Sequence, residues 1–332
     1  MSWPGLDVRA LGDKMSAGPE RHIESVELQS GRAILNVRHL TVYRYARPVE
    51  FGDHRMMMRP RDGHDQRLLS SELDIDPEPR RLRWLYDTFD NCVAIASFSG
   101  AWTSLTIENR FTVERIVDDQ PGGEIDPRAQ FFPFSYAPEE LPDVARAMER
   151  LYSDPAGDLD RWVRQFVAPG ATTLTSHLLM TLTYAIKEGF SYERREAAGV
   201  QSPRHTLERR RGSCRDFAVL MMEATRALGV AARFVSGYVY VPYGEDEVRL
   251  GGGATHAWCQ IYLPGAGWIE FDPTNGLVGG KDLIRVAVAR DPAQAAPLTG
   301  AYFGDAADEL GMEVSVEVTQ PKHAERVTLA GA

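Results

Sequence analysis

The chain is 332 residues long, 43% hydrophobic and 25% charged, an ordinary soluble composition with enough length for two domains with cores of their own. Forty-seven acidic against 37 basic residues leave a formal net charge of −10, which argues against nucleic acid or an anionic membrane as the main partner. Three cysteines, Cys92, Cys214 and Cys259, are too few and too scattered for a disulfide framework or a CxxC metal pattern, so a reducing compartment is expected.

Residues 1–30 carry Gly, Pro and charge without hydrophobic periodicity and read as a mobile tail. They hold no apolar stretch of secretory length, and no window of the chain reaches the ~18 apolar residues of a membrane span. The expectation is a cytoplasmic protein with no membrane partner.

Past that point Ile34, Leu35, Val37, Leu40, Val42, Tyr43 and Tyr45 are strand formers in partial alternation, closed by Pro48. Segments 68–76, 82–86, 93–98 and 102–117 continue the pattern, separated by Pro77, Pro79, Asp90-Asn91 and Gly100. This predicts an antiparallel β-sandwich domain over 31–120. His39 and His54 read as surface or hydrogen-bonded packing residues, and Met56, Met57 and Met58 as half-buried packing.

A linker with helices follows over 121–165. Its Pro- and Gly-rich part, 118–140, carries Phe131, Phe132, Phe134 and Tyr136, which must pack on the protein to stay out of water and are expected to wall a substrate cleft. Helical spacing appears at 142–152, 159–167 and 175–189, the last with Leu178, Leu179, Leu182 and Ile186 on one face. The remaining chain, 166–332, reads as a second domain that ends on a closing strand over 312–319, where Val314, Val316 and Val318 alternate.

The chemistry concentrates in this second domain. In RRGSCRDF, residues 210–217, Ser213 is placed as a helix N-cap with Asp216 three residues on. Cys214 then falls at the first helical position, where unpaired backbone N–H groups and the helix dipole favour a thiolate. Phe217, Leu220, Met221, Ala224 and Leu228 keep helical spacing up to Gly229.

A lone cysteine there would be core packing, but two strand-like runs downstream carry His256 (THAWCQIY) and Asp272 (GWIEFDPT). The tight connection LPGAG between them makes an antiparallel hairpin able to bring these two side chains within hydrogen-bond reach. Nucleophilic thiol chemistry needs this set: the imidazole takes the thiol proton, and the carboxylate fixes its tautomer.

Cys259, by strand alternation from His256, faces the opposite side and packs. Tyr192, in a short extended piece, is a candidate second donor to an oxyanion beside the Cys214 backbone N–H, the alternative being a core aromatic. Trp258 is taken as a substrate-binding residue. Seven arginines from Arg194 to Arg215 read as a solvated face, or as a positive field that favours the thiolate and acidic substrates. Residues 242–253 read as a flap over the cleft. Their acids lack the spacing of a calcium loop, so no metal is expected.

GSCRDFA, the run GVAARFVSGY (229–238), HAWCQIYLPGAGW and FDPTNG together resemble the core of the transglutaminase-like superfamily in its bacterial branch, over about residues 165–290. The resemblance implies an α+β, papain-like arrangement: a Cys-bearing helix packed on an antiparallel sheet that carries His and Asp. Matched position by position, Cys214 is the nucleophile, His256 the base and Asp272 the orienting carboxylate. Gln260 stands where the family often has Glu, and residues 289–292 are looser than the Gly-Arg-Asp-Tyr often found there.

A second set resembles the N-terminal domain that often precedes this core in bacteria: His39-x-Thr41-x-Tyr43-x-Tyr45, Pro48-Val49, His54, Arg59-Pro60-Arg61 and Trp84-x-x-Asp87-x-x-Asp90-Asn91, with Gly expected at position 90. The function implied is a thiol acyl enzyme acting on peptide, glutaminyl or isopeptide amides without a cofactor. Its thioester is resolved by water, as in a cysteine peptidase or amidase, or by an amine, as in a transglutaminase. Two other classes compete, a catalytically silent binding or scaffold module on the same fold and an acyltransferase with a thioester donor such as acyl coenzyme A. The expected partner is a peptide or protein substrate, and the oligomeric state stays open.

Overall fold

The structure is a computed structural model that describes residues 32–116, 124–168, 170, 172–195, 199–241, 253–280 and 282–321. The alternating first third of the chain forms β1 (Arg32–Phe51), β2 (His54–Arg59), β3 (Gln66–Asp76), β4 (Arg81–Tyr86), β5 (Cys92–Ser97) and β6 (Ala101–Ile116). They divide between two antiparallel sheets. One runs β1–β6–β3, with a register shift in β1 between Arg44 and Val49 that accommodates Pro48; the other runs β2–β5–β4. Tyr45, Val49, Phe51, Met56, Met58, Ala94, Ala96, Leu105 and Ile107 fill the space between them. Met57 points the other way, into the core of the second unit, so all three consecutive methionines are buried rather than half-buried.

The second unit is α+β. Its helices are α1 (Leu141–Met148), α2 (Asp158–Arg164), α3 (Thr175–Gly189), α4 (Pro203–Arg209) and α5 (Cys214–Ala227). Two-residue pairings join β7 (Phe131–Phe132) to β8 (Thr173–Leu174) and, in parallel, β9 (Ser191–Tyr192) to β10 (Arg211–Gly212). The main sheet is antiparallel in the order β14–β13–β12–β11–β15, from β11 (Ala232–Val239), β12 (His256–Leu263), β13 (Gly267–Asp272), β14 (Leu277–Val278) and β15 (Leu283–Ala289).

Helix α5 lies on one face of this sheet. Phe217, Leu220, Met221, Met222 and Ala224 are sealed against Phe234, Ala257, Cys259, Ile261 and Phe271, and each large side chain buried this way contributes about 1.5–3 kcal/mol. Cys259 is thus a packing residue on the helix side. The opposite face carries Val235, Val239, Trp258, Leu283 and Val288.

The last strands correct the expected domain plan. Residues 309–319 form a strand, β18 (Glu309–Thr319), but it joins the sandwich rather than the second unit, pairing with β1 from Asn36 to Tyr45. β16 (Leu298–Thr299) adds to β2, and β17 (Tyr302–Phe303) adds to the end of β1. Val316 then closes a core shared by both units, with Leu35, Val37, Phe111 and Val113 from the sandwich and Tyr238, Ile284 and Val286 from the second sheet.

The linker aromatics are also corrected. Phe131 is exposed, Phe132 and Phe134 rest on the main core, and Tyr136 is buried with Val144 and Ala231. Its hydroxyl donates to the Tyr262 carbonyl at 3.0 Å and accepts from the Ala231 N–H at 2.8 Å. Tyr262 sits six residues along β12 from His256, roughly 20 Å away at strand rise, so Tyr136, with the Phe134 ring against it, braces the far end of the sheet and does not wall a cleft at His256.

Candidate active site

Gly212 and Ser213 bring the chain into α5. A Cβ at Gly212 would meet the Asp216 Cβ at 2.9 Å and the Phe217 ring at 3.1 Å, so the turn is closed tightly over the first helical residues. Asp216 holds it. Its carboxylate accepts from the Ser213 N–H (2.8 Å) and hydroxyl (2.9 Å), from Arg195 (2.6 and 2.8 Å), and from the Gln201 backbone (2.7 Å) and side chain (3.0 Å). Burial would raise its pKa, but these donors lower it instead. The expected helix cap is therefore also an anchor for Arg195 and Gln201.

Cys214 follows as the first helical residue, 6% exposed. Its own N–H has no intrahelical acceptor by helix geometry. Across from it, His256 opens β12 and is wholly enclosed, with Nε2 2.8 Å from Asp272 Oδ2. Asp272 ends β13, where the turn after it fills the remaining lone pairs: the Thr274 N–H donates to Oδ1 at 2.9 Å and the Asn275 amide to Oδ2 at 2.8 Å.

With Nε2 held by the carboxylate, Nδ1 is the nitrogen left for sulfur. It has no hydrogen-bond partner of its own, and the Cys214 thiol lies close enough to the ring to raise its pKa. Burial would lower the His256 pKa, but the Asp272 carboxylate and the Cys214 sulfur outweigh it and raise it; burial would raise that of Asp272, but His256, Asn275 and the Thr274 N–H lower it. The arrangement favours a carboxylate–imidazolium pair with a sulfur on its open side.

Tyr192 stands beside this group. β9 pairs Tyr192 with Gly212, and the Glu193 N–H donates to the Gly212 carbonyl at 2.8 Å. Burial, with Cys214 next, raises the Tyr192 pKa, so its hydroxyl keeps its proton and can donate. Arg194 and Arg215 act in the opposite sense on the same hydroxyl. Four of the other five arginines of the run are engaged elsewhere: Arg195 on Asp216, Arg204 on Glu208 (2.8 Å), Arg209 near Glu193 (3.5 Å), and Arg210 over the Phe190 ring (4.8 Å).

Trp258 is not a substrate contact. It is completely buried, stacked on the His256 ring with centroids 5.8 Å apart and 28° between planes. Strand alternation places it on the same side as His256, and the sandwich side of the sheet covers it. Its indole N–H donates to Glu270. Two residues of the site went unread in the sequence, Asn275 and Glu270. Asn275 lies inside FDPTNG, one residue past Thr274, whose N–H makes the Asx-turn bond to Asp272.

The expected flap, 242–253, lies almost entirely outside the described residues. Among the described residues no group of three or more His, Cys, Asp or Glu is placed to hold a metal ion, and no helix is long and apolar enough to cross a membrane.

Comparison with known proteins gives two family matches on this chain: the bacterial transglutaminase-like N-terminal region over residues 35–114 and the transglutaminase-like superfamily over residues 160–273. An uncharacterized protein of Mycobacterium tuberculosis is 30% identical over 298 residues, 87% of this chain and 93% of its own. Another, of Mycobacterium leprae, is 38% identical over 114 residues, 34% of this chain and 39% of its own. A crystal structure from Cytophaga hutchinsonii, provisionally described as a cysteine protease, shares the fold at a TM-score of 0.63 and 20% identity, covering 89% of this chain and 92% of that one.

Proposed function

The chain belongs to the transglutaminase-like superfamily, with the N-terminal region of its bacterial members, and from that premise we propose that it is a thiol acyl enzyme acting on peptide or glutaminyl amides. The observation that carries this reading is the buried Cys214 at a helix N-terminus, facing an imidazole that Asp272 holds at 2.8 Å. A sulfur so placed gives its proton to His256 and is stabilised as thiolate by the imidazolium and the positive end of the helix dipole.

The thiolate attacks the amide carbon, and the carbonyl oxygen takes the electron pair. The Cys214 N–H and the Tyr192 hydroxyl are the donors for that oxygen. His256 passes its proton to the leaving nitrogen, ammonia or an amine departs, and a thioester remains on Cys214. His256, now neutral, takes a proton from the incoming water or amine, which attacks the thioester and frees the sulfur. Asp272 keeps the ring oriented throughout.

The reading is tested by incubating the full chain with a glutaminyl peptide, with and without methylamine, and following products by mass. A deamidated or cleaved peptide identifies water as acceptor, and an amine-linked peptide identifies transfer. Both are expected to vanish in Cys214→Ala, with iodoacetamide labelling near neutral pH lost as well. An unaltered peptide under all conditions, or product undiminished in Cys214→Ala, overturns the proposal.

A further inference from the structure

The sandwich touches the second sheet through buried polar side chains, and one line of them runs to the imidazole. Asp65, at the edge of β3, pairs with Arg285 of β15 through two contacts, at 3.0 and 3.1 Å. Arg285 donates to Glu270 of β13 at 2.7 Å. Glu270 accepts from Gln260 at 2.7 Å and from the Trp258 indole N–H, and the Trp258 ring lies on His256.

The inner links are enclosed, with Trp258 0% and Glu270 6% exposed, and the outer pair Arg285–Asp65 is half-buried. A carboxylate buried this deeply needs its cationic partner. Glu270 spends one oxygen on Arg285 and Gln260, leaving the other for the indole.

We propose that Trp258, Glu270, Arg285 and Asp65 form a positioning chain that fixes the plane of the His256 ring, so that the N-terminal sandwich serves as a brace for the imidazole. None of the four reaches the reacting atoms, so they are positioning residues. Without the carboxylate the indole N–H loses its partner, and the His256 ring stacked on it loses that constraint. Nδ1 then turns away from sulfur, and the thiolate loses its imidazolium.

The charged and titratable groups around this line are Asp272 and Cys214 at His256; Arg233, which donates to Gln260 at 2.7 Å; and Arg115, which contacts Asp65 at 3.3 Å and the Gly280 carbonyl. Burial opposes the charge on Asp65, but Arg285 and Arg115 hold its pKa down to about 2. Asp65 is therefore charged throughout the range in which a thiol enzyme works.

The proposal rests on the acyl-enzyme reading, and its test separates the two. The rate of iodoacetamide labelling of Cys214 is measured against pH in the full chain, in Asp65→Asn, Glu270→Gln and Trp258→Phe, and in Tyr238→Phe. The last variant removes a different contact between the units, the 2.8 Å bond between Tyr238 and His39.

The first three are expected to raise the apparent pKa of labelling by about one unit, slowing it roughly tenfold at low pH while leaving the alkaline plateau unchanged. Tyr238→Phe is expected to lower Tm without moving the profile. A low-pH thiolate in the native chain that all three brace variants leave in place overturns the brace alone. Equal displacement by Tyr238→Phe also overturns it, because any loosening of the interface would then suffice. A native profile that already follows a free thiol overturns the acyl-enzyme reading, and the brace with it.

Discussion

His256 is enclosed on all sides, a setting in which an imidazole ordinarily gives up its charge. Asp272 and Cys214 reverse that, raising the His256 pKa while that of Asp272 is lowered. The consequence for stability has a definite sign. A raised histidine contributes fully below its unfolded value and loses that contribution as pH rises through the folded one. A depressed aspartate contributes above its unfolded value and loses it as pH falls through the folded one. The two overlap between about pH 4 and pH 6.5.

Asp272→Asn should therefore cost about 3–5 kcal/mol at pH 5.5, the usual penalty for breaking a buried pair, and progressively less above pH 6.5. Urea unfolding of both chains at pH 5.5 and 9.5 checks this, and an equal difference at the two pH values removes the ion pair from the account. Cys214, His256 and Asp272 were legible at this scale because each lies in a short run whose spacing sets its place on a helix or strand. Trp258 was misread because alternation gives the face a side chain takes but not what covers that face, and here the cover comes from the sandwich.

At the scale of elements, β15 is the edge of the second sheet, and an edge leaves N–H and C=O groups unpaired. The sandwich fills them with amide side chains. Asn91 donates to the Val288 carbonyl at 2.7 Å and accepts from its N–H at 2.9 Å; Gln66 does the same at Arg285, at 2.8 and 3.3 Å. Asp87 holds the turn that presents Asn91, accepting from the Phe89 and Asn91 N–H groups at 2.9 Å each. Asp90 takes φ 59° there, the left-handed conformation that explains why Gly is expected at this position.

Asn91→Ala strands two buried backbone groups and is expected to destabilise the chain by about 2–6 kcal/mol, at roughly 1–3 kcal/mol for each. Thermal and urea melts measure it, and a loss under about 0.5 kcal/mol, the range of an ordinary surface change, counts against the edge role. The helix over Thr175–Gly189 was readable to the residue from its apolar face. The strand Glu309–Thr319 was readable as a strand but not as a partner of β1, because a period of two names the pleat and leaves the neighbour open.

Across the whole molecule, the chain leaves the sandwich after β6, builds the second unit, and returns through β16, β17 and β18 to complete both sandwich sheets. β18 covers β1 over Asn36–Tyr45, so without it a long strand would present an open edge, and Leu35 and Val37 would lose Val316 from their shared core. The same return keeps Asp65, Gln66 and Asn91 against β15, which is where the sandwich meets the site. Residues 32–116 expressed alone are expected to lack a cooperative unfolding transition and to aggregate. The same residues joined to 298–319 through a flexible linker should regain a transition by circular dichroism, since both sheets then have their missing strands. Cooperative unfolding of 32–116 by itself would mean that β1 and β6 suffice, and that the returning strands serve the second unit rather than the first.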